Sequence, residues 1–213
     1  KDGTAVASIS VASSDNISFD ALTGGGAGLL FWAAGGTTPY ITPRAEGSDN
    51  DNVTSLGRGA NRFKDLFLGG SVYLGGTGSA NALDDYEEGT WTPSIVFGST
   101  AATTTVTRAA YRKIGGLVTL SATIPFASTP AAGTFTIQGM PFTPVVNVET
   151  VGSVMCNNVN TETDTVNLVT YHYNNNTTTI HIYGTRDSNT WYPFSNSHVS
   201  SGDGFIFTHT YYT

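Results

Sequence analysis

Charge is scarce in this 213-residue chain: Asp, Glu, Lys and Arg make up 12% of it, about half the share in an ordinary soluble domain. Basic residues are the rarer kind, 9 against 16 acidic ones, for a net charge of −7. That excludes the basic stripe of a nucleic-acid binder, and no nucleic-acid partner is expected. A single cysteine, Cys156, excludes an intrachain disulfide. No apolar run approaches the ~20 residues a membrane-spanning helix needs. The long Ala, Glu, Lys and Leu runs of a helical bundle are missing, and no segment reads as a convincing helix. Nucleophile signatures are missing as well. There is no Gly-x-Ser-x-Gly, and Cys156 lies beside Val154 and Met155 in an apolar strand, which suits packing better than catalysis. No glycine-rich loop opens a helix, so phosphate cradling is not expected, nor is any cofactor. No signal peptide is legible, and the chain opens on Lys1, so it reads as a piece of something longer.

What is present is strand and turn chemistry. Glycine contributes 25 residues and aromatics 11%, with abundant Thr, Ser and Asn. These favour many short strands joined by turns. A hydrophobic fraction of 39% argues against disorder. The expected fold is all-β in two parts, residues 1–88 and residues 89–213. The first part carries −6 of the net charge and the second is nearly neutral.

Residues 1–80 place apolar side chains in very short alternating sets: Val6, Ile9 and Val11; Ile17 and Phe19; Leu66 and Leu68; Val72 and Leu74. Glycine pairs and triplets at 24–26, 35–36, 69–70 and 75–76 punctuate them. Each strand offers two or three inward side chains, at roughly 1.5–3 kcal/mol for each one fully buried. Ordering the backbone costs ~1–2 kcal/mol per residue. Such strands do not offset that cost alone, and copies around a three-fold axis would close one another's sheets. An intertwined trimeric β shaft is the expectation. A single-chain β domain with long loops is the alternative.

Asp84, Asp85, Glu87 and Glu88 crowd the end of this part. They read either as a divalent-cation site, which their spacing does not fit in EF-hand form, or as a solvated acidic linker. Asp49-Asn50-Asp51-Asn52 reads as a turn.

Residues 91–213 alternate cleanly. Val118, Leu120, Ala122, Ile124 and Phe126 define one half-buried strand, Phe135 and Ile137 another. Val166 to Tyr173 and the strand holding Ile180 and Ile182 flank the polar tip Asn174–Thr179 as a hairpin, and Phe205 to Tyr212 forms the last strand. Seven or eight strands at this spacing predict a jelly-roll-like β-sandwich head.

Two segments carry a family likeness. Asn61–Leu68 followed by Val72–Gly78, and Leu83-Asp84-Asp85-Tyr86-Glu87-Glu88-Gly89-Thr90-Trp91-Thr92-Pro93, resemble the shaft and the junction to the C-terminal head in bacteriophage tail-fibre and tail-tip proteins. Tyr111–Gly115 and Gly139–Phe142 are similar to turns of that head. The likeness spans roughly residues 55–145. It implies a homotrimer, attachment to other tail proteins on the N-terminal side, a virion location at the distal tail fibre, and binding to a bacterial surface receptor. It implies no particular binding residues.

Composition points to candidates. Sugars are held by aromatic faces beneath rings and by Asn, Asp and Ser at hydroxyls. The stretch from Arg186 to His198 has that make-up, with Asp187, Asn189, Trp191, Tyr192, Asn196 and His198, and Pro193 breaks it. It reads as an exposed loop, or else as a plug in which Trp191 and Phe194 close the sandwich end. Asn175 and Asn176 at the hairpin tip are a second receptor-binding candidate. If the hairpin turns at Asn176-Thr177, His172 and His181 face each other and could ligate a transition metal; cross-strand polar pairing is the alternative. For glycan hydrolysis, Glu162 and Asp164 are the nearest carboxylate pair, but both lie in a polar segment with nothing apolar to raise a general acid's pKa. The expectation is a non-enzymatic, multivalent phage receptor-binding protein. A bacterial trimeric adhesin or lectin-like module and a tailspike-type glycan depolymerase are the alternatives.

Overall fold

A computed structural model of the chain describes residues 7–11, 16–32, 38–128, 132–173 and 177–213. Val6, Gly35-Gly36 and the tip residues Asn175 and Asn176 lie outside the described residues. The fold is all-β, and the only helical turns among the described residues are two three-residue 3-10 turns at Ser79–Asn81 and Asn196–His198. The chain forms two compact units, Lys1–Leu68 and Gly69–Thr213.

The first unit is an antiparallel meander of β1 (Ala7–Val11), β2 (Ile17–Ala21), β3 (Ala27–Trp32), β4 (Tyr40–Ala45) and the short β5 (Ser48–Asp49). Its register stacks like with like. Ile9 pairs Phe19, which pairs Leu29; Val11 pairs Ile17, which pairs Phe31, which pairs Ile41. Paired residues point to the same side of a sheet, so these side chains form one apolar face. All seven are exposed, from 41% at Phe31 to 75% at Ile9. On the opposite face Ser18, Asp20 and Leu30 are buried, and Arg44 reaches across to Asp20 at 2.8 Å. After β5 the chain leaves Val53, Leu56, Phe63, Leu66 and Phe67 all at least 66% exposed. The five strands of this unit pair within one chain, and the apolar face they form is uncovered in it.

The second unit begins with the two-residue strands β6 (Val72–Tyr73) and β7 (Ala82–Leu83), paired with each other. The rest is one large antiparallel sheet. Its strands are β8 (Tyr86–Thr90), β9 (Ser94–Phe97), β10 (Thr100–Ala101), β11 (Arg108–Ile114), β12 (Leu117–Pro125), β13 (Phe135–Gln138), β14 (Thr150–Asn157), β15 (Thr165–His172), β16 (Thr179–Arg186), β17 (Asn189–Pro193) and β18 (Gly204–Tyr212). The order is β10-β9-β13-β16-β15-β14-β18-β12-β11-β8, with β17 added on β16. The expected sandwich of seven or eight strands is therefore realised as a single curled sheet of 11. Its inner face folds onto itself. Phe135 on β13 meets Phe205 on β18 at 5.2 Å between ring centroids, although three strands separate them in the sheet. Edge-to-face contacts from Phe97, Phe126 and Phe194 complete this aromatic core.

The acidic junction belongs to this sheet. Residues 86–90 form the edge strand β8, paired along β11. Its carboxylates are drawn apart to separate partners: Asp85 to Lys113, Glu87 to the Tyr111 hydroxyl, and Glu88 to Arg112 at 3.4 Å. They stay exposed and converge on no common point, so the cation-site reading is corrected.

His209 is one of several polar side chains buried in this unit, with Thr170, His172, His198 and Asp203. His209 on β18 is fully buried, with Nδ1 2.9 Å from Thr170 Oγ1 and Nε2 3.0 Å from Thr150 Oγ1. Gly152 makes the room: a Cβ there would collide with the Thr170 hydroxyl and the Thr208 carbonyl. Burial first, then the nearby His172, pushes the His209 pKa down to about 4. The folded state thus favours neutral imidazole. Its contribution to stability is complete above the ordinary histidine value of 6.5 and is lost as pH falls from there to about 4. At ~1.4 kcal/mol per pH unit the loss comes to about 3 kcal/mol. Denaturant unfolding at a series of pH values should show this decline, and His209→Gln should flatten it. An equal slope in both proteins would mean that another group is responsible.

Candidate functional site

Strands β14 to β17 lie side by side, and their outer face differs from the wet face expected of a sheet. β15 pairs β14 through Tyr171 with Val151, and β16 through Val169 with Tyr183 and Tyr171 with His181. β17 continues the row: Tyr192 pairs Gly184 and Pro193 pairs Tyr183. The in–out alternation of a strand then sends Tyr192 and Phe194 inward and Trp191 outward. Exposures agree, at 7% for Tyr192, 0% for Phe194 and 69% for Trp191.

Trp191 therefore stands beside Tyr171 and Tyr183, its ring centroid 6.5 Å from each. Tyr171 and Tyr183 meet edge to face at 5.6 Å, and Tyr173 joins them at 4.7 Å from Tyr171. The Tyr173 and Tyr183 hydroxyls bond to each other. Short side chains, Val169, Val151 and Thr185, leave a depression between the rings, and Glu149 stands at its edge. The cavity measures about 430 Å³, within the usual range for a small-molecule site. Tyr171 and Glu149 line the same cavity. Burial, followed by that carboxylate, pushes the Tyr171 pKa up to about 12, so it stays a neutral donor. The arrangement offers π-faces, an apolar floor and a few directional polar groups.

The remaining sequence-selected residues are placed otherwise. The stretch 186–198 is not a loop. It turns tightly at Asp187-Ser188, with Ser188 at φ 54°, then runs as β17. Pro193 is tolerated because β17 pairs on one side only, with β16, and a missing N–H costs nothing on the open side. Tyr192 is a core residue. Its ring fills the space over Gly184, where a Cβ would strike it, and its hydroxyl meets Thr165 Oγ1 at 2.8 Å. Arg186 lies over the Tyr192 ring at 4.4 Å. Its Nε is 3.3 Å from Asp164 at an angle that gives an ion pair without a hydrogen bond. His198 is buried, stacked on Phe194 at 4.7 Å and bonded through Nδ1 to the Ser195 N–H. Asn196 accepts from the Gly133 N–H at 3.1 Å. Tyr192 and His198 are buried and present no receptor surface, while Arg186 and Asn196 are half-buried and held by contacts within the fold. Asp187 and Asn189 are exposed at the turn, where Asn189 accepts from the Thr190 N–H at 2.8 Å. Of the expected set, Trp191 alone among the described residues lines the groove. The plug reading holds for Phe194 and fails for Trp191.

The histidine pair is likewise separated. Tyr171, not His172, pairs with His181. A one-residue shift in register sends the two imidazoles to opposite faces. His172 is buried with Nε2 2.8 Å from the Thr177 carbonyl, while His181 packs against Tyr173 at 4.7 Å on the outer side. They do not form a metal site, and no cluster of three His, Cys, Asp or Glu among the described residues could hold one.

Tyr171, Tyr183, Val151, Val169 and Glu149 were not among the sequence candidates. A signal exists: Val169, Tyr171 and Tyr173 alternate on one side of a strand whose other side holds Leu168 and Thr170, so the strand has no wet face. Comparison with known proteins adds a little. No protein-family model matches the chain, and no curated protein matches it. Among solved structures it is similar to the crystal structure of Dettilon tailspike protein (gp208), with 19% identity and a TM-score of 0.49. The match covers 59% of this chain and 23% of that one.

Proposed function

We propose that the chain is the distal, receptor-binding part of a phage tail fibre. It would assemble as a homotrimer through the apolar face of the first unit, and would bind a bacterial surface glycan in the groove beside Trp191. The observation that carries the reading is that groove, with its exposed indole flanked by Tyr171 and Tyr183 on a sheet face that should otherwise be polar. The phage assignment rests on the shaft and junction segments that resemble tail-fibre proteins. Attachment is non-covalent, and three linked weak sites gain avidity of about 10²–10⁴-fold by effective concentration. The protein acts as an adhesin of the virion, without a catalytic step.

Trp191→Ala should lower single-site affinity for host glycan about tenfold, a loss of ~1.4 kcal/mol, and reduce adsorption to host cells further through lost avidity. The assembly should stay intact, since the indole supports no core contact. Tyr192→Phe, which alters only a buried hydroxyl, should leave adsorption unchanged. Undiminished adsorption by Trp191→Ala would remove the groove from the function.

A further inference from the structure

The groove carries one formal charge, and it is negative. Glu149 lines it together with Trp191, Tyr171 and Tyr183, and no Lys or Arg does. Glu149 is exposed, and no cation lies within ion-pair distance of it among the described residues. A carboxylate offers roughly four acceptor positions, and Glu149 shares the cavity lining with Tyr171. Its exposure leaves them within reach of a ligand.

Ring faces and a carboxylate share an electrostatic preference. The faces of Trp and Tyr are negative, and a cation within about 6 Å of a ring centroid is attracted, most strongly by Trp. An exposed carboxylate at the rim adds a modest, salt-sensitive Coulomb attraction. An acidic sugar would meet repulsion from both. A neutral sugar would gain the stacking and leave the Glu149 charge unanswered.

We propose that this groove selects a glycan bearing a protonated amino group, with the ring against Trp191 and the ammonium toward Glu149. The inference rests on the glycan-binding reading of the same groove and names its substrate class. Such an epitope is an unacetylated amino sugar.

The test titrates the full chain with three probes: a β-1,4 trimer of glucosamine, the same trimer fully N-acetylated, and a trimer of glucuronate. The glucosamine trimer should bind about tenfold tighter than the acetylated one, and glucuronate should bind weakest. Glu149→Gln should erase the advantage of the amine while keeping the acetylated trimer's affinity, and added salt should have the same effect in the native chain. Equal or tighter binding of the acetylated trimer, or an amine preference that survives Glu149→Gln, would overturn the charge selection and leave the glycan site standing. Failure of all three probes to bind, or binding indifferent to Trp191→Ala, would overturn the site as well.

Discussion

Phe19→Asp combined with Phe31→Asp is expected to convert the assembled protein to single chains. The two rings lie 5.8 Å apart at the centre of the exposed face of the first unit, flanked by Ile9, Ile17, Leu29 and Ile41. A soluble monomer rarely leaves so continuous an apolar surface uncovered. Sister copies of the same face supply the simplest cover, because each then removes its partners' side chains from water. Full burial of one such side chain is worth roughly 1.5–3 kcal/mol, and the gain is repeated in every copy. A carboxylate buried in its place costs several kcal/mol or forces water into the interface. Sedimentation equilibrium should give about three times 22.3 kDa for the native chain and 22.3 kDa for the double variant. The second unit has its own core, so its near-ultraviolet circular dichroism should survive. A native chain that sediments as a monomer with amides 17–45 protected from exchange would refute assembly through this face.

Phe135→Ala is expected to be the most damaging single truncation in the second unit, at about 3–5 kcal/mol. Phe135 is fully buried and touches Phe97, Phe126, Phe194 and Phe205 at centroid distances of 5.2–6.2 Å. With Phe126 and Phe194 it joins the β9–β13 side of the sheet to Phe205 on the β18 side. Its loss leaves a cavity that four rigid rings cannot easily collapse into, and it loosens the curl of the sheet. Typical domains have 5–15 kcal/mol in all, so the variant's denaturation midpoint should fall by a large fraction. Phe67→Ala, at a side chain 90% exposed, is the matched control and should change little. A small effect at Phe135 would mean that the two sides of the sheet are held together by something other than this aromatic cluster.

The strands of the second unit were legible because period-two alternation reports burial directly. Val118 to Phe126 and Phe205 to Tyr212 keep one side dry and the other wet, and both run as strands within a residue of the expected ends. The segment 186–198 misled for a definite reason. Its alternation spans Trp191, Tyr192, Pro193 and Phe194, four bulky residues with nothing polar between them, and Pro193 resembles a strand breaker until its strand is known to be an edge. The histidine pair failed by a single residue of register, which hairpin sequence alone does not specify.

Composition and local pattern were enough to establish an all-β chain whose first part is poor in core, because turn residues and side-chain alternation are local properties. Which side chains share the groove was a tertiary matter. Trp191, Tyr171, Tyr183 and Glu149 lie on three different strands and the segment leading into a fourth. Only the hydrogen-bonded register between those strands places them on the same side and at the same height, and the curl of the sheet turns that side outward.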